Sequence, residues 1–305
     1  MAYRFYTADV FTDRIFGGNP LAVFPDGRGL DDRQMQSVAR EFNLSETVFV
    51  LPPERPEHTR RLRIFTPGTE LPFAGHPTVG TAHVLASIGE LTLEEPVTQV
   101  IFEEGVGPVP VGIRVAGGQP EFAQLSAAQM PEFGPSPPPA ARLAEMLSLD
   151  PADFVDDAEP AAVSCGVPFL FVALTGLDAM GRAKIRRDIW ESVLADYWAP
   201  SVFLFCEEAE TDSSDLHGRM FAPAMGIVED PATGAAATAL GGLLATRDAQ
   251  DEGTLRWVVE QGFEMGRPSI LDVEADKAGG TVTAIRVGGA SVLVSRGEME
   301  IPESP

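Results

Sequence analysis

The chain has 305 residues, a length typical of two domains that each bury a core. Its formal charge of −23 argues against nucleic acid or an anionic membrane surface as a partner, because both are negatively charged. A small carboxylate substrate is still compatible with this charge, since backbone N–H groups can hold such an anion locally. The two cysteines, Cys165 and Cys206, lack a CxxC spacing, which argues against a disulfide framework and a cysteine-bound zinc ion.

The N-terminal residues show no basic segment followed by an apolar core, so the sequence predicts no signal peptide. No stretch of about 18 uninterrupted apolar residues is present to span a bilayer. We therefore expect a cytoplasmic protein.

The first half of the chain predicts strands and two helices of different character. Apolar residues form one stripe from Met35 to Phe42, which predicts an amphipathic helix that starts near Asp31 and ends at Asn43. The helix after His76 instead has small residues on several faces, which suits an enclosed position. Strand-type runs lie at residues 3–11, 21–24, 47–51, 60–65, 97–102 and 109–115.

The second half predicts a similar mixture of elements. Residues 131–139 are rich in proline, and we interpret them either as a linker or as a surface loop. Helices are predicted at residues 140–149, around the apolar positions from Ile185 to Tyr197, and in a small-residue segment after Gly234. Strand-type runs lie at residues 168–174, 202–205, 254–260, 269–274, 282–287 and 291–294.

Two stretches of the chain look like copies of each other. Arg63–Pro67 and Arg219–Pro223 each predict a strand that ends at a proline. A loop follows, then His76-Pro77 in the first copy or Asp230-Pro231 in the second, and then a small-residue helix. We interpret the copies as two half-sites that face one substrate. The pattern predicts an α+β protein with two pseudo-symmetric halves, each a β-barrel-like sheet wrapped around a central helix.

Proline suits the first position of a helix, because proline has no backbone N–H group and an N–H group at this position would have no partner within the helix. We therefore expect both small-residue helices to begin at these prolines, with the N–H groups of the first turn pointing outward. Two such helix starts could bind a carboxylate and stabilise a transient enolate-like charge. An ordinary capped helix start is the alternative interpretation of either copy alone.

Three side chains are candidates for proton transfer. His76 could act near neutral pH, or could only bond a carbonyl group in its loop. Asp230 could be its carboxylate partner, or a helix N-cap. Glu46 follows a predicted helix and precedes an apolar strand, so it is either a desolvated acid/base or an exposed carboxylate. Metal-ligand spacings, dinucleotide fingerprints and P-loops are all missing from the sequence, so we assign no metal.

Several motifs stand out in order along the chain. They are Asp9-Val10-Phe11, Phe16-Gly17-Gly18-Asn19-Pro20, Asn43-Leu44-Ser45-Glu46-Thr47, Arg63-Ile64-Phe65-Thr66-Pro67, Leu71-Pro72-Phe73-Ala74-Gly75-His76-Pro77, Glu229-Asp230-Pro231-Ala232-Thr233-Gly234, Glu260-Gln261-Gly262 and Met265-Gly266-Arg267-Pro268-Ser269. Together they resemble the PhzF family of phenazine-biosynthesis-like isomerases, which share the fold of diaminopimelate epimerase.

This resemblance implies a duplicated fold with the active site in the cleft between the halves. The first half would comprise residues 1–125 with about 288–305, and the second would comprise residues 126–287. The resemblance also implies an isomerase without a cofactor, usually a homodimer, that acts on a small, cyclic, carboxylate-bearing metabolite.

The resemblance further implies roles for individual residues. Glu46 corresponds to the glutamate that moves a proton between carbons of the substrate, and His76 and Asp230 flank that substrate. The residues implied to bind the substrate are Asn19, Ser45, Gly75, Thr233, Gly234 and Ala235.

Two departures bear on the substrate and the reaction. The family member that acts in phenazine synthesis has a serine at the position of Ala235, where it helps to hold the substrate. The related two-thiol epimerases have a cysteine in each half-site, whereas this chain has Ala74 and no thiol near Asp230 in sequence. Our leading hypothesis is an isomerase; the alternatives are an epimerase or racemase with opposed bases and a non-catalytic metabolite-binding protein.

Overall fold

The computed structural model describes residues 1–302, which form two compact units. Unit 1 comprises Met1–Ala128 and the chain from Val287 onward, and unit 2 comprises Gln129–Arg286. None of the helices in residues 1–302 is long and apolar enough to cross a membrane.

The first part of unit 1 consists of strands and two helices, of which the first is amphipathic and the second is enclosed. The elements are β1 (Ala2–Val10), β2 (Asn19–Phe24), α1 (Asp32–Phe42), β3 (Glu46–Leu51), β4 (Arg60–Phe65), β5 (Glu70–Leu71), α2 (Gly75–Ser87), β6 (Val97–Glu104), β7 (Gly107–Ala116) and β8 (Gln119–Ser126).

Unit 2 contains the middle of the chain, including the proline-rich residues 131–139. Its elements are β9 (Glu132–Phe133), α3 (Ala140–Leu147), β10 (Ala161–Ser164), β11 (Pro168–Ala173), α4 (Leu177–Arg182), α5 (Arg187–Val193), β12 (Ser201–Cys206), β13 (Leu216–Ala222), β14 (Ile227–Asp230), α6 (Gly234–Arg247), β15 (Gly253–Gln261), β16 (Ser269–Ala278) and β17 (Thr281–Gly289). The last residues of β17 belong to unit 1, where β18 (Ser291–Glu300) then pairs antiparallel with β1.

Both units have the same strand order and the same strand directions. In unit 1, β1–β2 is antiparallel, β2–β3 parallel, β3–β4 antiparallel, β4–β6 parallel and β6–β7 antiparallel. In unit 2, β10–β11, β11–β12, β12–β13, β13–β15 and β15–β16 repeat that alternation. The short strands β5 and β14 pair antiparallel with β4 and β13, and each precedes the enclosed helix of its unit. The duplication and the α+β class are confirmed.

The helices predicted to be enclosed are buried on nearly every face. In α2, every residue from Gly75 to Ala86 is buried, and the helix contacts β1, β2, β3, β7 and β8. In unit 2, α6 contacts β10, β11, β15 and β16. A β-carbon at Gly80 would lie 2.5 Å from Val10 Cγ2, and one at Gly241 would lie 2.5 Å from Val273 Cγ1. Small residues are therefore what allow the strands to pack this close to each helix.

The segment between residues 177 and 198 differs from the single helix predicted around residues 185–197. It forms α4 and α5, with a break between them. Arg219 explains the break, because its Nη1 donates hydrogen bonds to the carbonyl oxygens of Met180 (2.7 Å) and Ala183 (3.0 Å) at the end of α4. These carbonyl groups are thereby satisfied without further helical residues.

Candidate active site

Glu46 lies at the junction of α1 and β3. The helix ends because Asn43 adopts a left-handed conformation (φ 49°, ψ 33°), while its N–H still donates to Ala39 O at 3.1 Å. Glu46 then begins β3 and pairs with Leu21 in the parallel strand β2. The residue is only 8 % exposed, so the interpretation as an exposed carboxylate is wrong.

His76 is the second residue of α2 and faces this carboxylate. It is buried, and its Nε2 lies 3.0 Å from Glu46 Oε2. The two atoms are close but are not aligned as a hydrogen bond, and neither has a hydrogen-bond partner among residues 1–302. Buried polar atoms without partners are rare in native proteins, and a ligand is one way to complete them.

The start of α2 and the starts of two strands surround this pair. Ala74 is the N-cap of α2 and provides no side-chain hydrogen bond to its first turn, which begins at Gly75. Such a helix start has N–H groups that can bind an anion. Asn19 is fully buried at the start of β2, and Ser45 is half-buried directly before Glu46. The unit 1 residues predicted to bind substrate therefore lie around the beginnings of β2, β3 and α2.

In unit 2, a glutamine fixes the loop that contains Asp230. Asp230 is buried, and its Oδ2 accepts a 2.5 Å hydrogen bond from the Thr233 hydroxyl. Gln261 Nε2 donates to Asp230 O (2.7 Å) and to Thr233 Oγ1 (3.2 Å), and Gln261 Oε1 accepts from the Thr233 N–H (3.1 Å). The Ser269 hydroxyl oxygen lies 2.9 Å from Pro231 O and 3.0 Å from Arg267 O, and its one proton can be donated to either. These bonds hold Asp230 and Thr233 in one defined arrangement.

The prediction that both helices begin at their prolines is wrong. The enclosed helix of unit 1 begins two residues before Pro77, whereas α6 begins at Gly234, three residues after Pro231. The N-cap of α6 is Thr233 rather than Asp230. The later start follows from the glutamine amide described above, which holds this loop in a non-helical shape.

The first turn of α6 is nevertheless comparable with that of α2. It begins with Gly234, which is buried, and Ala235, which is half-buried. Its N-cap also provides no side-chain capping bond, so both small-residue helices start with backbone N–H groups in a buried setting.

One ion pair supports the loop before each helix. Arg63 in β4 donates two hydrogen bonds to Glu70 in β5, at 2.7 and 2.6 Å, and Arg219 in β13 donates two to Glu229 in β14, both at 2.8 Å. Each guanidinium also lies over the Phe two residues further along its strand, 5.1 and 5.0 Å from the ring centroid. The repeated Arg-x-Phe pattern was visible in the sequence, but the pairing of each arginine with a glutamate was not predicted, because the spacing between the two differs between the copies.

A family model described as phenazine biosynthesis-like protein matches residues 8–297. The chain belongs to the PhzF family. The match extends over nearly the whole length of the chain, so both units are part of it.

Relatives of this PhzF chain are named isomerases. An uncharacterized isomerase from Mesorhizobium japonicum is 41 % identical over 297 residues, which cover 96 % of this chain and 97 % of the relative. The trans-2,3-dihydro-3-hydroxyanthranilate isomerase of Pseudomonas aeruginosa is 34 % identical over 296 residues, which cover 97 % and 98 %. A crystal structure of a Bacillus anthracis PhzF-family protein is similar with a TM-score of 0.89 at 28 % identity, covering 99 % of this chain and 100 % of that one. The enzyme class of the chain is isomerase.

The unit 1 residues of this PhzF isomerase have the chemistry needed to move a proton. A carboxylate and an imidazole can each take up and release a proton, and here they lie 3.0 Å apart in a buried setting. Backbone N–H groups at a helix start can stabilise negative charge on a carboxylate or an enolate.

Proposed function

We propose that the protein is a cofactor-independent isomerase that moves a proton between two carbons of a small, ring-shaped metabolite bearing a carboxylate. Glu46 would be its general base and general acid. The observation that supports this most strongly is the buried Glu46–His76 contact, in which both facing atoms lack a hydrogen-bond partner within residues 1–302. The Pseudomonas aeruginosa relative is named for trans-2,3-dihydro-3-hydroxyanthranilate, a compound of this chemical class.

The proposed reaction needs no atom beyond those of the substrate and Glu46. The Glu46 carboxylate takes a proton from one ring carbon, and the electron pair of that C–H bond shifts into the adjoining double-bond system. The protonated Glu46 then returns the proton to another carbon, where a new C–H bond forms. His76 stabilises the carboxylate and orients it, and the N–H groups at the start of α2 hold the substrate carboxylate.

In unit 2, the predicted residues are proposed to contact a substrate. Asp230 and Thr233 would bind its polar groups, with their positions fixed by Gln261. Ala235 can offer only its backbone N–H, since it lacks the hydroxyl of the serine known from the phenazine-synthesis member. A substrate with a different polar group from that of the phenazine precursor is therefore consistent with this site.

Replacing Glu46 by Gln tests the central role. We expect kcat on trans-2,3-dihydro-3-hydroxyanthranilate to fall by about 100-fold or more, because positioned acid/base groups contribute about 10²–10⁴ in rate. The amide has nearly the same size as the carboxylate but cannot accept a proton from carbon, so the thermal midpoint should hardly change. Initial rates and thermal unfolding curves of both proteins measure the two effects.

Glu57→Gln is the matched control, because Glu57 is exposed and the same substitution there should leave the rate unchanged. Turnover of Glu46→Gln at the rate of that control would exclude Glu46 as the acid/base.

In deuterium oxide, label at a new carbon supports isomerisation, whereas label with inversion at the original carbon supports epimerisation. A clear thermal shift within a panel of metabolites, with no turnover of any of them, would support the binding-protein alternative.

A further inference from the structure

Glu104 is a buried carboxyl group that neither the family motifs nor the proposed mechanism uses. It is the last residue of β6 and lies behind the first turn of α2. It is 8 % exposed and is one of the residues that line a groove of about 300 Å³ in unit 1. Its Oε2 has no hydrogen-bond partner among the described residues 1–302.

The Thr78 hydroxyl group contacts two oxygen atoms, one of which belongs to Glu104. The Thr78 hydroxyl oxygen lies 2.7 Å from Ala74 O and 2.6 Å from Glu104 Oε1. A hydroxyl group has one proton and can donate to only one of these two oxygens. If it donates to Ala74 O, the contact with Glu104 is attractive only when Glu104 itself carries a proton and donates to Thr78 Oγ1.

The charges around Glu104 do not stabilise its ionised form. The charged side chains that line the same groove bond to other groups: Arg61 pairs with Glu54, Arg63 with Glu70 and Asp32, and His58 with Glu103. Arg55 on the same rim is exposed. On α2, His76 faces Glu46, and burial lowers the pKa of His83 to about 4, so that ring is neutral. Burial raises the pKa of Glu104 to about 8; a hydrogen bond donated by Thr78 would oppose this shift, whereas a bond that a protonated Glu104 donates to Thr78 would not.

Glu104 occupies the position in unit 1 that Gln261 occupies in unit 2. The arginine ion pairs described above align the two copies. Two residues before Arg63, β4 pairs with Glu103 of its parallel neighbour β6. Two residues before Arg219, β13 pairs with Glu260 of its parallel neighbour β15. The residue after that glutamate is Glu104 in one unit and Gln261 in the other.

The preceding glutamates confirm this alignment, because they have the same contacts. Glu103 accepts hydrogen bonds from two consecutive backbone N–H groups after β3 (2.7 and 2.8 Å), and Glu260 accepts them from two after β12 (2.5 and 3.1 Å). Gln261 is a neutral amide that bonds a threonine hydroxyl near the start of a helix. A protonated glutamic acid has nearly the same size and likewise carries one donor group and one acceptor oxygen, although it can donate one hydrogen bond where the amide donates two.

We infer that Glu104 remains protonated in the folded protein near neutral pH and, through Thr78, positions the first turn of α2, which contains His76. Glu104 is thus a positioning residue. The effect of Glu104 on catalysis rests on the proposed function. The two tests below need no substrate.

The first test is the pH dependence of stability in the wild type and in Glu104→Gln. In the unfolded chain this carboxyl ionises near pH 4.5, whereas in the folded protein it keeps its proton up to about pH 8. Between these values the folded state binds one more proton, so its stability falls as pH rises. For this group alone, the unfolding equilibrium constant increases by up to about tenfold per pH unit and becomes constant above about pH 8. Because an amide does not titrate, the stability of Glu104→Gln relative to the wild type should rise from pH 5 to pH 8.

Glu103→Gln is a matched control on the adjacent residue of the same strand. Hydrogen bonds from the backbone N–H groups of Glu54 and Arg55 lower the pKa of Glu103, so this carboxylate is ionised and its replacement should destabilise the protein throughout the same pH range. A relative stability of Glu104→Gln that does not rise with pH, or that lies below the wild type at pH 8, would overturn the inference.

The second test is the NMR titration of His76 in protein labelled at its histidine rings. The His76 signals should show an inflection near pH 8 in the wild type, because loss of the Glu104 proton weakens the bond that holds the first turn of α2. Glu104→Gln should remove this inflection and keep the neutral-pH chemical shifts, whereas Glu104→Leu should change those shifts at every pH. A wild type without the inflection, or a Glu104→Gln that retains it, would refute the positioning role.

Discussion

Gln261 and Glu104 position the candidate site from points far along the chain. Gln261 bonds Thr233 at a separation of 28 residues, and Glu104 bonds Thr78 at 26. Local sequence patterns cannot predict such partners, because they depend on the register between parallel strands. Glu46 and His76 were different, since the family resemblance implied a role for each of them, whereas Gln261 lay in one of its motifs without a role and Glu104 lay in none.

Replacing Gln261 by Leu should destabilise the protein and lower turnover. The substitution removes the donors to Asp230 O and Thr233 Oγ1 and leaves these buried acceptors without that partner, at a cost of about 1–3 kcal/mol. The loop of Asp230 would then lose its fixed shape, so kcat should fall more than the loss of stability explains. Urea denaturation and initial rates measure the two effects.

Gln129→Leu provides the control, because Gln129 is an exposed glutamine in the same unit. It should change the free energy of unfolding by less than about 0.5 kcal/mol. Equal stability of the two variants would show that the Gln261 amide does not fix the loop.

At the scale of secondary structure, the elements with a strong repeat in the sequence were predicted best. The stripe of α1 and both of its ends are confirmed, with Asp31 as N-cap and Asn43 as C-cap. The small-residue helices are confirmed as enclosed. The break between α4 and α5 was not predictable, because it depends on Arg219 from a later strand. The start of α6 was wrong for the same reason, since Gln261 and Ser269 shape the preceding loop.

Adding one methyl group to either enclosed helix should destabilise the fold. At Gly80 the new β-carbon would overlap Val10 Cγ2 at 2.5 Å and Leu21 Cδ2 at 2.7 Å, and at Gly241 it would overlap Val273 Cγ1 at 2.5 Å. All of these partners are fully buried or nearly so. Overpacking of this kind costs about 1–3 kcal/mol, so Gly80→Ala and Gly241→Ala should each lower the midpoint of chemical denaturation.

The same substitution in α4 should have the opposite effect. A β-carbon at Gly181 would meet no atom within 4 Å, and alanine is favoured over glycine in a helix by up to about 1 kcal/mol. Gly181→Ala is therefore expected to be neutral or stabilising. A similar loss of stability in all three variants would mean that close packing around the enclosed helices is not the cause.

For the whole molecule, the duplication was the most informative feature of the sequence. The two copies around Arg63 and Arg219 predicted two similar halves, and the structure extends the similarity to strand order, strand direction and the ion pair before each helix. What differs between the copies is the chemistry at matched positions. Unit 1 has Glu104 where unit 2 has Gln261. The sequence copies align His76 with Asp230, although His76 lies in α2 and Asp230 at the end of β14.

The net charge of the chain leads to a prediction about salt. The 45 acidic residues exceed the 22 basic ones by 23, so the chain carries a large excess of negative charge. Mutual repulsion among them opposes the compact state, and surface ion pairs offset little of it because each contributes only about 0–1 kcal/mol. Raising the sodium chloride concentration from about 10 to about 150 mM shortens the range of this repulsion to about 8 Å. The thermal midpoint at pH 7.5 should therefore increase with salt.

The pH dependence of the salt effect separates repulsion from other actions of salt. Near the isoelectric point of about 4.4 the net charge vanishes, so screening no longer relieves a net repulsion and also weakens the attractive pairs. Salt should raise the thermal midpoint at pH 7.5, and should leave it unchanged or lower it near pH 4.5. The protein is kept dilute in both measurements to limit precipitation. An equal increase at both pH values would mean that the added salt acts on hydrophobic burial rather than on charge.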